Sequence, residues 1–334
     1  MNQTISPSRE RDYQSHARVF DYRRAANPIR AGLTEPIPLR RWGPELHATG
    51  PTAILPLDLS PQLGCEGPAT SPGLAAHFLR LRGGESLSVP SVSSSSLYYV
   101  LQGDGELRRT SCSAGADHGE RHAEDLRLSW QQGDLFVLPA GTTPLLQAEV
   151  ESVLYWVHDG PLLRYLGVEP SRPRFSPCHY PSQLLETELQ RLLDDPVASR
   201  GNRLSILLGH DEFPATRTVS HTLWAMLGVV PDGAVQPPHR HQSVAIDLII
   251  DCDPGCHTLV GSKIDGDGNI LNPTRVEWQG GGVFITPPGL WHAHVNESGR
   301  QARLLPIQDA GLHTYLRSLD IRFASGFMPP GGGG

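Results

Sequence analysis

The chain has 334 residues, more than one hydrophobic core usually organises, so we expect two domains of about 150 residues each. Its formal net charge of −7 argues against nucleic acid and anionic membrane surfaces as partners. Hydrophobic residues make up 38% and charged residues 19% of the chain, as in folded globular proteins. Its 35 glycines and 30 prolines favour short strands joined by turns.

The N-terminal residues lack the apolar segment of a secretory signal peptide, and no uncharged apolar run reaches the roughly 18 residues that a membrane-spanning helix needs. The cysteines are odd in number and lack the close pairs of metal-binding motifs. We therefore expect reduced thiols and a cytoplasmic protein. The cysteines are Cys65, Cys112, Cys178, Cys252 and Cys256.

The predicted elements follow one another in two similar series. Residues 1–30 are polar and rich in arginine, which predicts a flexible N-terminal arm. Residues 31–168 carry short apolar runs such as AAHFLRL and DLFVLPA between turns, which predicts a first β-domain. Leucines at helical spacing predict a helical linker over 169–200. Residues 201–328 repeat the strand pattern and predict a second β-domain, and 329–334 form a predicted flexible tail.

Two local landmarks suggest that the β-domains arose by internal duplication. The second series contains GGVFITPPGLWH, in which a glycine, a strand and a proline-rich turn follow one another. The first series contains QGDLFVLPAGTTP, with the same features in the same order. Each block closes its series.

Histidines in the second series have the spacing of a metal site. His239 and His241 are two residues apart, as are His292 and His294. On a strand, residues at i and i+2 share a face, so each pair points one way and the two pairs can meet inside one barrel. Imidazole binds iron, zinc, copper and nickel, and three histidines leave positions open for substrate or dioxygen. We predict that His239, His241 and His292 bind one divalent metal.

These segments resemble the two signatures of the cupin superfamily. Gly233 begins G-x5-H-x-H, and Gly281 begins G-x5-P-x-G-x2-H-x3-N, which ends at Asn296. The glutamate that many cupins carry after the second histidine would fall at Ala245 or Ile246. A three-histidine site resembles that of the gentisate and salicylate 1,2-dioxygenase family, which includes enzymes similar to 1-hydroxy-2-naphthoate dioxygenase. The resemblance implies an all-β fold of two cupin barrels, each a jelly-roll or double-stranded β-helix, with a few linking helices.

The first series departs from that family, whose iron lies in its N-terminal barrel. Alignment of the two series puts Pro90, Val92 and Pro144 at the ligand positions, and none of these side chains binds metal. We therefore expect one metal site, in the C-terminal barrel.

A second departure concerns the substrate. In the family, an arginine eight residues after the first ligand is thought to bind the substrate carboxylate, whereas this chain has Asp247 there. Asp247 shares the face of His239 and would repel a carboxylate, which favours an amino, catecholic or otherwise hydroxylated substrate. Alternatively, Asp247 pairs with a nearby arginine or orients a ligand histidine.

Four further residues are candidates for the site. His294 is predicted to act as an acid or base, or to be a core histidine with satisfied hydrogen bonds. Gln236 and Gln308 are candidates for hydrogen bonds to substrate or to a metal-bound oxygen, with ordinary loop or rim bonding as the alternative. Trp291 either forms a wall of the pocket or simply packs there.

The resemblance implies an Fe(II)-dependent dioxygenase that cleaves a small hydroxylated substrate with O2. Two alternatives stay open, a non-oxidative metallocupin using zinc, nickel or manganese as Lewis acid, and a ligand-binding cupin without turnover. Exposed strand edges and the N-terminal arm favour a homodimer or homotetramer.

Overall fold

The computed structural model describes residues 15–109, 126–198 and 203–324. The chain divides into two compact units, residues 1–36 and 37–334. In the first unit, helix α1 (Tyr22–Ala25) begins after Asp21, whose carboxylate accepts a hydrogen bond from the Arg23 amide. Most of the predicted arm before this helix, the predicted tail and Cys112 lie outside the described residues.

The second unit contains all of the longer strands. The strands of its N-terminal half are β1 (Arg41–Trp42), β2 (Ala53–Pro56), β3 (Ala75–Leu81), β4 (Ser86–Ser88), β5 (Ser95–Gln102), β6 (Asp104–Arg109), β7 (Arg127–Gln131), β8 (Leu135–Pro139), β9 (Pro144–Ala148), β10 (Ser152–His158) and β11 (Cys178–Tyr180). Those of its C-terminal half are β12 (Leu204–Leu208), β13 (Trp224–Val230), β14 (His239–Arg240), β15 (Ala245–Asp251), β16 (Cys256–Gly261), β17 (Thr274–Glu277), β18 (Val283–Thr286), β19 (Trp291–Asn296), β20 (Ala302–Gln308) and β21 (Arg322–Phe323).

Short helices connect the strands. They are α2 (Glu45–Ala48), α3 (Ser60–Leu63), α4 (Gly160–Leu166), α5 (Ser182–Leu193) and α6 (Ala310–Tyr315). The leucine spacing predicted α5, and Leu185 and Leu189 form its buried face. Among the described residues, no helix is long and apolar enough to cross a membrane.

Each half forms a two-sheet barrel. In the first, the six-stranded sheet β11-β8-β5-β10-β3-β2 packs on the four-stranded sheet β4-β9-β6-β7. In the second, the six-stranded sheet β1-β18-β15-β20-β13-β12 packs on the five-stranded sheet β17-β16-β19-β14-β21. Aromatic and aliphatic side chains from both sheets fill the space between them. The predicted all-β class with two jelly-roll barrels and a few helices is confirmed.

Two short edge strands join sheets that their sequence positions did not predict. Strand β1 lies within the range predicted for the first barrel but pairs with β18 of the second. Strand β11 lies within the predicted linker but pairs with β8 of the first. Each of these two strands covers backbone groups that would otherwise form an open sheet edge. Local apolar patterns predict that a segment is a strand, but they do not predict which sheet it joins.

The outer faces of the two six-stranded sheets pack against each other. Phe78 and Tyr155 of the first barrel belong to the same buried cluster as Ile246 and Leu305 of the second. The inner face of each sheet therefore points into its own barrel. The described cysteines, Cys65, Cys178, Cys252 and Cys256, are all free thiols.

Candidate metal centre

Three buried histidines meet inside the second barrel. Strands β14 and β19 are antiparallel neighbours, and His239 lies opposite His292 in their register. His241 follows β14 directly. One ring nitrogen from each histidine lies within 4.8 Å of the others, and the His239 and His292 ring centroids are 3.9 Å apart. The structure thus brings together all three predicted metal ligands.

A glycine turn positions the segment that carries His241. Gly289 has φ 76°, in the left-handed region that favours glycine. Its amide donates to the His241 carbonyl at 2.7 Å, which ties the second histidine motif to the first. The glycine of the second signature therefore serves the site through backbone geometry.

Backbone carbonyls determine which nitrogen of two histidines is free to bind a metal. Nδ1 of His241 lies 2.8 Å from the Ser243 carbonyl oxygen, and Nδ1 of His292 lies 3.1 Å from that of Leu290. A carbonyl only accepts, so Nδ1 carries the proton in both rings and Nε2 keeps its lone pair. Nε2 of His241 is buried without a hydrogen-bond partner. Such an orphaned acceptor beside two further imidazoles fits a divalent metal ion.

Burial keeps all three rings neutral, which is the form that binds metal. It lowers the pKa of His241 to about 4 and holds the pKa values of His239 and His292 well below the ordinary range. The positive charge of Arg203 acts in the same direction on all three.

Arg203 is a site residue that the sequence patterns did not reveal. It precedes β12, and its guanidinium donates to the Gln236 side-chain oxygen at 2.6 Å. A second guanidinium nitrogen lies 2.6 Å from Nδ1 and 2.8 Å from Nε2 of His239. Burial lowers the pKa of Arg203 to about 10, so it remains a cation at neutral pH. Two cations repel at this range, and a metal ion on His239 would require the guanidinium to withdraw from that ring.

Asp247 lies on the inner face of the second barrel. Its neighbours Ile246 and Leu248 pack between the barrels, so the carboxyl group points inward and accepts a 2.9 Å hydrogen bond from the Thr286 hydroxyl. Burial raises the pKa of Asp247 to about 7, against the opposing effects of Thr286 and Arg203. The described residues form no ion pair with it, so the alternative of a direct pair with arginine gains no support.

Comparison with known protein sequences gives a match over part of the chain. No protein-family model matches the chain. Gentisate 1,2-dioxygenase 1 of Aquipseudomonas alcaligenes is 28% identical over 131 residues, 39% of this chain and 33% of that enzyme. The match therefore spans about a third of the curated relative.

Solved structures match over much more of the chain. Salicylate 1,2-dioxygenase from Pseudaminobacter salicylatoxidans has a TM-score of 0.61 at 14% identity, covering 86% of this chain and 88% of that one. A variant of the same enzyme in complex with gentisate has a TM-score of 0.63 at 12% identity, covering 97% and 98%. A variant of Bacillus subtilis oxalate decarboxylase has a TM-score of 0.53 at 15% identity, covering 80% and 76%.

The chain has the two-barrel fold of a bicupin. It resembles the gentisate and salicylate 1,2-dioxygenases, as its signatures predicted. The three-histidine group lies in the C-terminal barrel of this fold. Among the described residues, no comparable group of metal-type ligands lies in the first barrel.

A second possible group of ligands, outside the three histidines, does not form a metal site. His210, Asp211 and Glu212 are adjacent, and both acidic side chains are exposed. Both His210 ring nitrogens have hydrogen-bond partners, the Ser176 carbonyl and the Glu212 amide. No ring nitrogen is left for a metal.

The remaining predicted residues take different positions. Gln236 is buried and holds Arg203. Gln308 accepts a 2.7 Å hydrogen bond from Ser243, whose hydroxyl oxygen lies 3.0 Å from Nδ1 of His241, so the pair supports a ligand from behind. Trp291 precedes His292 on β19, so its side chain points to the opposite face of the strand from that histidine. The Trp291 ring lies 5.2 Å from the Arg240 guanidinium. That location favours packing over a role as a pocket wall.

His294 is buried beside the three ligands but outside their group. Its Nδ1 lies 2.8 Å from the Thr258 hydroxyl oxygen. Burial, and then Arg203, hold the pKa of His294 well below its usual range, so the ring is neutral.

Proposed function

We propose that this bicupin is an Fe(II)-dependent dioxygenase that cleaves a hydroxylated aromatic ring with O2. The observation that carries the proposal is the buried group of His239, His241 and His292, in which Nε2 of His241 has no hydrogen-bond partner. Similarity to ring-cleaving dioxygenases supports the reaction class.

The three histidines would hold the metal as neutral ligands. Such an ion, when bound, supplies electron transfer between a coordinated substrate and dioxygen. The protein positions the ligand rings and keeps water away from the reacting groups. The rings are fixed by carbonyls and by Ser243, and the barrel interior excludes bulk water from the reacting groups.

Arg203 and Asp247 together favour a substrate with an anionic oxygen, such as a carboxylate or phenolate. Arg203 is a partly buried cation whose hydrogen-bond partners, Gln236 and His239, are neutral, so an anionic oxygen beside it would gain a favourable charge interaction. Asp247, with a pKa raised to about 7 by burial, is protonated in a large share of molecules at neutral pH. The reason for disfavouring a carboxylate substrate is therefore much weaker than the sequence suggested.

The roles of the other residues follow from their positions. Gln236 would orient Arg203, Gln308 would orient His241 through Ser243, and His294 would contact substrate. We retain the prediction of a homodimer or homotetramer, which light scattering on the purified protein would test.

The test measures metal content and oxygen uptake together. Protein is purified anaerobically as wild type, His292→Ala and the control His257→Ala, which removes a buried histidine of the same barrel outside the ligand group. Each is supplied with catechols, aminophenols and hydroxybenzoates. We expect about one iron per chain in wild type and control, loss of iron in His292→Ala, and oxygen consumption with a hydroxybenzoate.

Two results would overturn the proposal. Zinc, nickel or manganese at one ion per chain, with no oxygen uptake after reconstitution with iron, would indicate a non-oxidative metallocupin. Equal metal content in wild type and His292→Ala would show that these histidines do not form the site.

A further inference from the structure

A hydrogen-bonded chain of three buried side chains ends on His294. Strands β16 and β19 are paired with Thr258 opposite His294, and Trp278 follows β17. The Trp278 indole N–H donates to the Thr258 hydroxyl oxygen at 2.8 Å, and that oxygen lies 2.8 Å from Nδ1 of His294. Thr258 is fully buried.

Counting protons along this chain determines its direction. An indole nitrogen is only a donor, so it occupies one lone pair of the Thr258 oxygen. The single hydroxyl proton of Thr258 then needs an acceptor, and Nδ1 of His294 is the partner that the described residues provide. If Nδ1 carried a proton instead, the Thr258 hydroxyl proton would be buried without an acceptor, at a cost of about 1–3 kcal/mol.

We propose that Thr258, held by Trp278, is a positioning residue that keeps the proton of neutral His294 on Nε2. The ring then offers an N–H donor on the side away from Thr258, and has no lone pair there for a metal. His241 and His292 have the opposite arrangement, because carbonyls hold their protons on Nδ1. The tautomers thus divide the neighbouring histidines into metal ligands and a hydrogen-bond donor.

The functional consequence rests on the proposed function, whereas the position of the proton does not. In a dioxygenase, the Nε2–H of His294 would donate to an acceptor oxygen of the substrate, next to the cation of Arg203. The sequence predicted that His294 acts as an acid or a base, and this inference makes it a hydrogen-bond donor instead. A neutral ring with this tautomer cannot take a proton from substrate at Nδ1 while Thr258 donates there.

The test reads the tautomer directly in metal-free protein without substrate. Histidine is labelled with 15N, bound metal is removed with a chelator, and the ring nitrogens are observed by NMR. The His294 signals are identified by their absence in His294→Asn. We expect an unprotonated Nδ1 and a protonated Nε2 for His294, and the reverse for His241 and His292. A protonated Nδ1 on His294 would overturn the proposal.

Variants separate positioning from general packing. Thr258→Val removes the donor that holds the tautomer, so both His294 tautomers should be populated and the Nδ1 signal of His294 should shift away from its wild-type position. Thr258→Ser should restore the wild-type signal. The control Thr70→Val removes an equally buried hydroxyl from the first barrel, where it donates to the Leu57 carbonyl at 2.7 Å, and should leave His294 unchanged.

If Thr258→Val does not fold, Trp278→Phe provides the second variant. It frees a lone pair on Thr258, so both His294 tautomers should be populated. An unchanged His294 spectrum in the folded variants at either position would overturn the inference. The expected tautomer in a protein that consumes no oxygen would sustain the inference and refute the proposed function, so the two failures are distinguishable.

Discussion

The substitution Asp247→Asn should make the stability of the metal-free protein less dependent on pH. Asp247 is buried and accepts a hydrogen bond from Thr286, and an asparagine oxygen can accept the same bond. The variant therefore keeps the contact and removes the ionisation.

The direction of the pH dependence follows from the pKa of Asp247 in the folded and unfolded states. An unperturbed aspartate has a pKa of 3.8, whereas burial raises the pKa of Asp247 to about 7 in the folded protein. Between these two pKa values, Asp247 keeps its proton in the folded state but has lost it in the unfolded state. The contribution of this proton to the free energy of unfolding is therefore present in full below pH 3.8 and is lost as the pH rises towards 7. At 1.36 kcal/mol per unit, this difference corresponds to about 4 kcal/mol, of which about 3 falls above pH 5.

The assay is urea unfolding of chelated protein at a series of pH values from about 5 to 8. Over that range, wild type should lose about 3 kcal/mol relative to Asp247→Asn. Asp267→Asn, at an exposed turn, is the control and should follow wild type. Parallel pH curves for wild type and Asp247→Asn would refute the reasoning, because they would mean that Asp247 titrates alike in both states.

Three further substitutions test the site and its support. Arg203→Gln should raise the KM for a carboxylate substrate by roughly tenfold or more, while Arg203→Lys keeps the cation and loses less; equal KM values in wild type and Arg203→Gln would contradict this role. Ser243→Ala should weaken metal binding about tenfold in titration calorimetry, because His241 loses a supporting contact, and unchanged affinity would remove Ser243 from the site. Tyr155→Phe should leave the Tm unchanged or raise it, because the Tyr155 hydroxyl is buried without a partner, and destabilisation by more than about 1 kcal/mol would reveal a bond to that hydroxyl.

The signatures and strand parity predicted much of the candidate site. Residues two apart on a strand share a face regardless of the rest of the fold, which is why His239, His241 and the inward direction of Asp247 could be predicted from local spacing. The barrel class was predictable for the same reason, since alternation and turns are local properties.

Arg203 and the protonation of Asp247 were not predictable in this way. Arg203 reaches His239 because β12 and β14 belong to opposing sheets of one barrel, and no local motif marks that approach. The pKa of Asp247 depends on desolvation by residues distant in sequence, so strand parity predicts where the carboxyl group points but not its charge. The sheets that β1 and β11 join likewise depend on which sheet edge lies nearby in the fold, which no local pattern predicts.

The first barrel supports the barrel that carries the three histidines, even though its own aligned ligand positions bear no metal-type side chains. Strands β15 and β18 carry Asp247 and Thr286 on their inner faces, while their outer faces present Ile246, Leu248 and Val283 to the shared core. Without the first barrel these apolar side chains would be exposed, and without β1 the neighbouring edge of β18 would lose its partner. The inner and outer faces belong to the same strands, so the packing that orders the outer face also fixes the position of the buried acid. The shared core and strand β1 therefore link the first barrel physically to the geometry of the site.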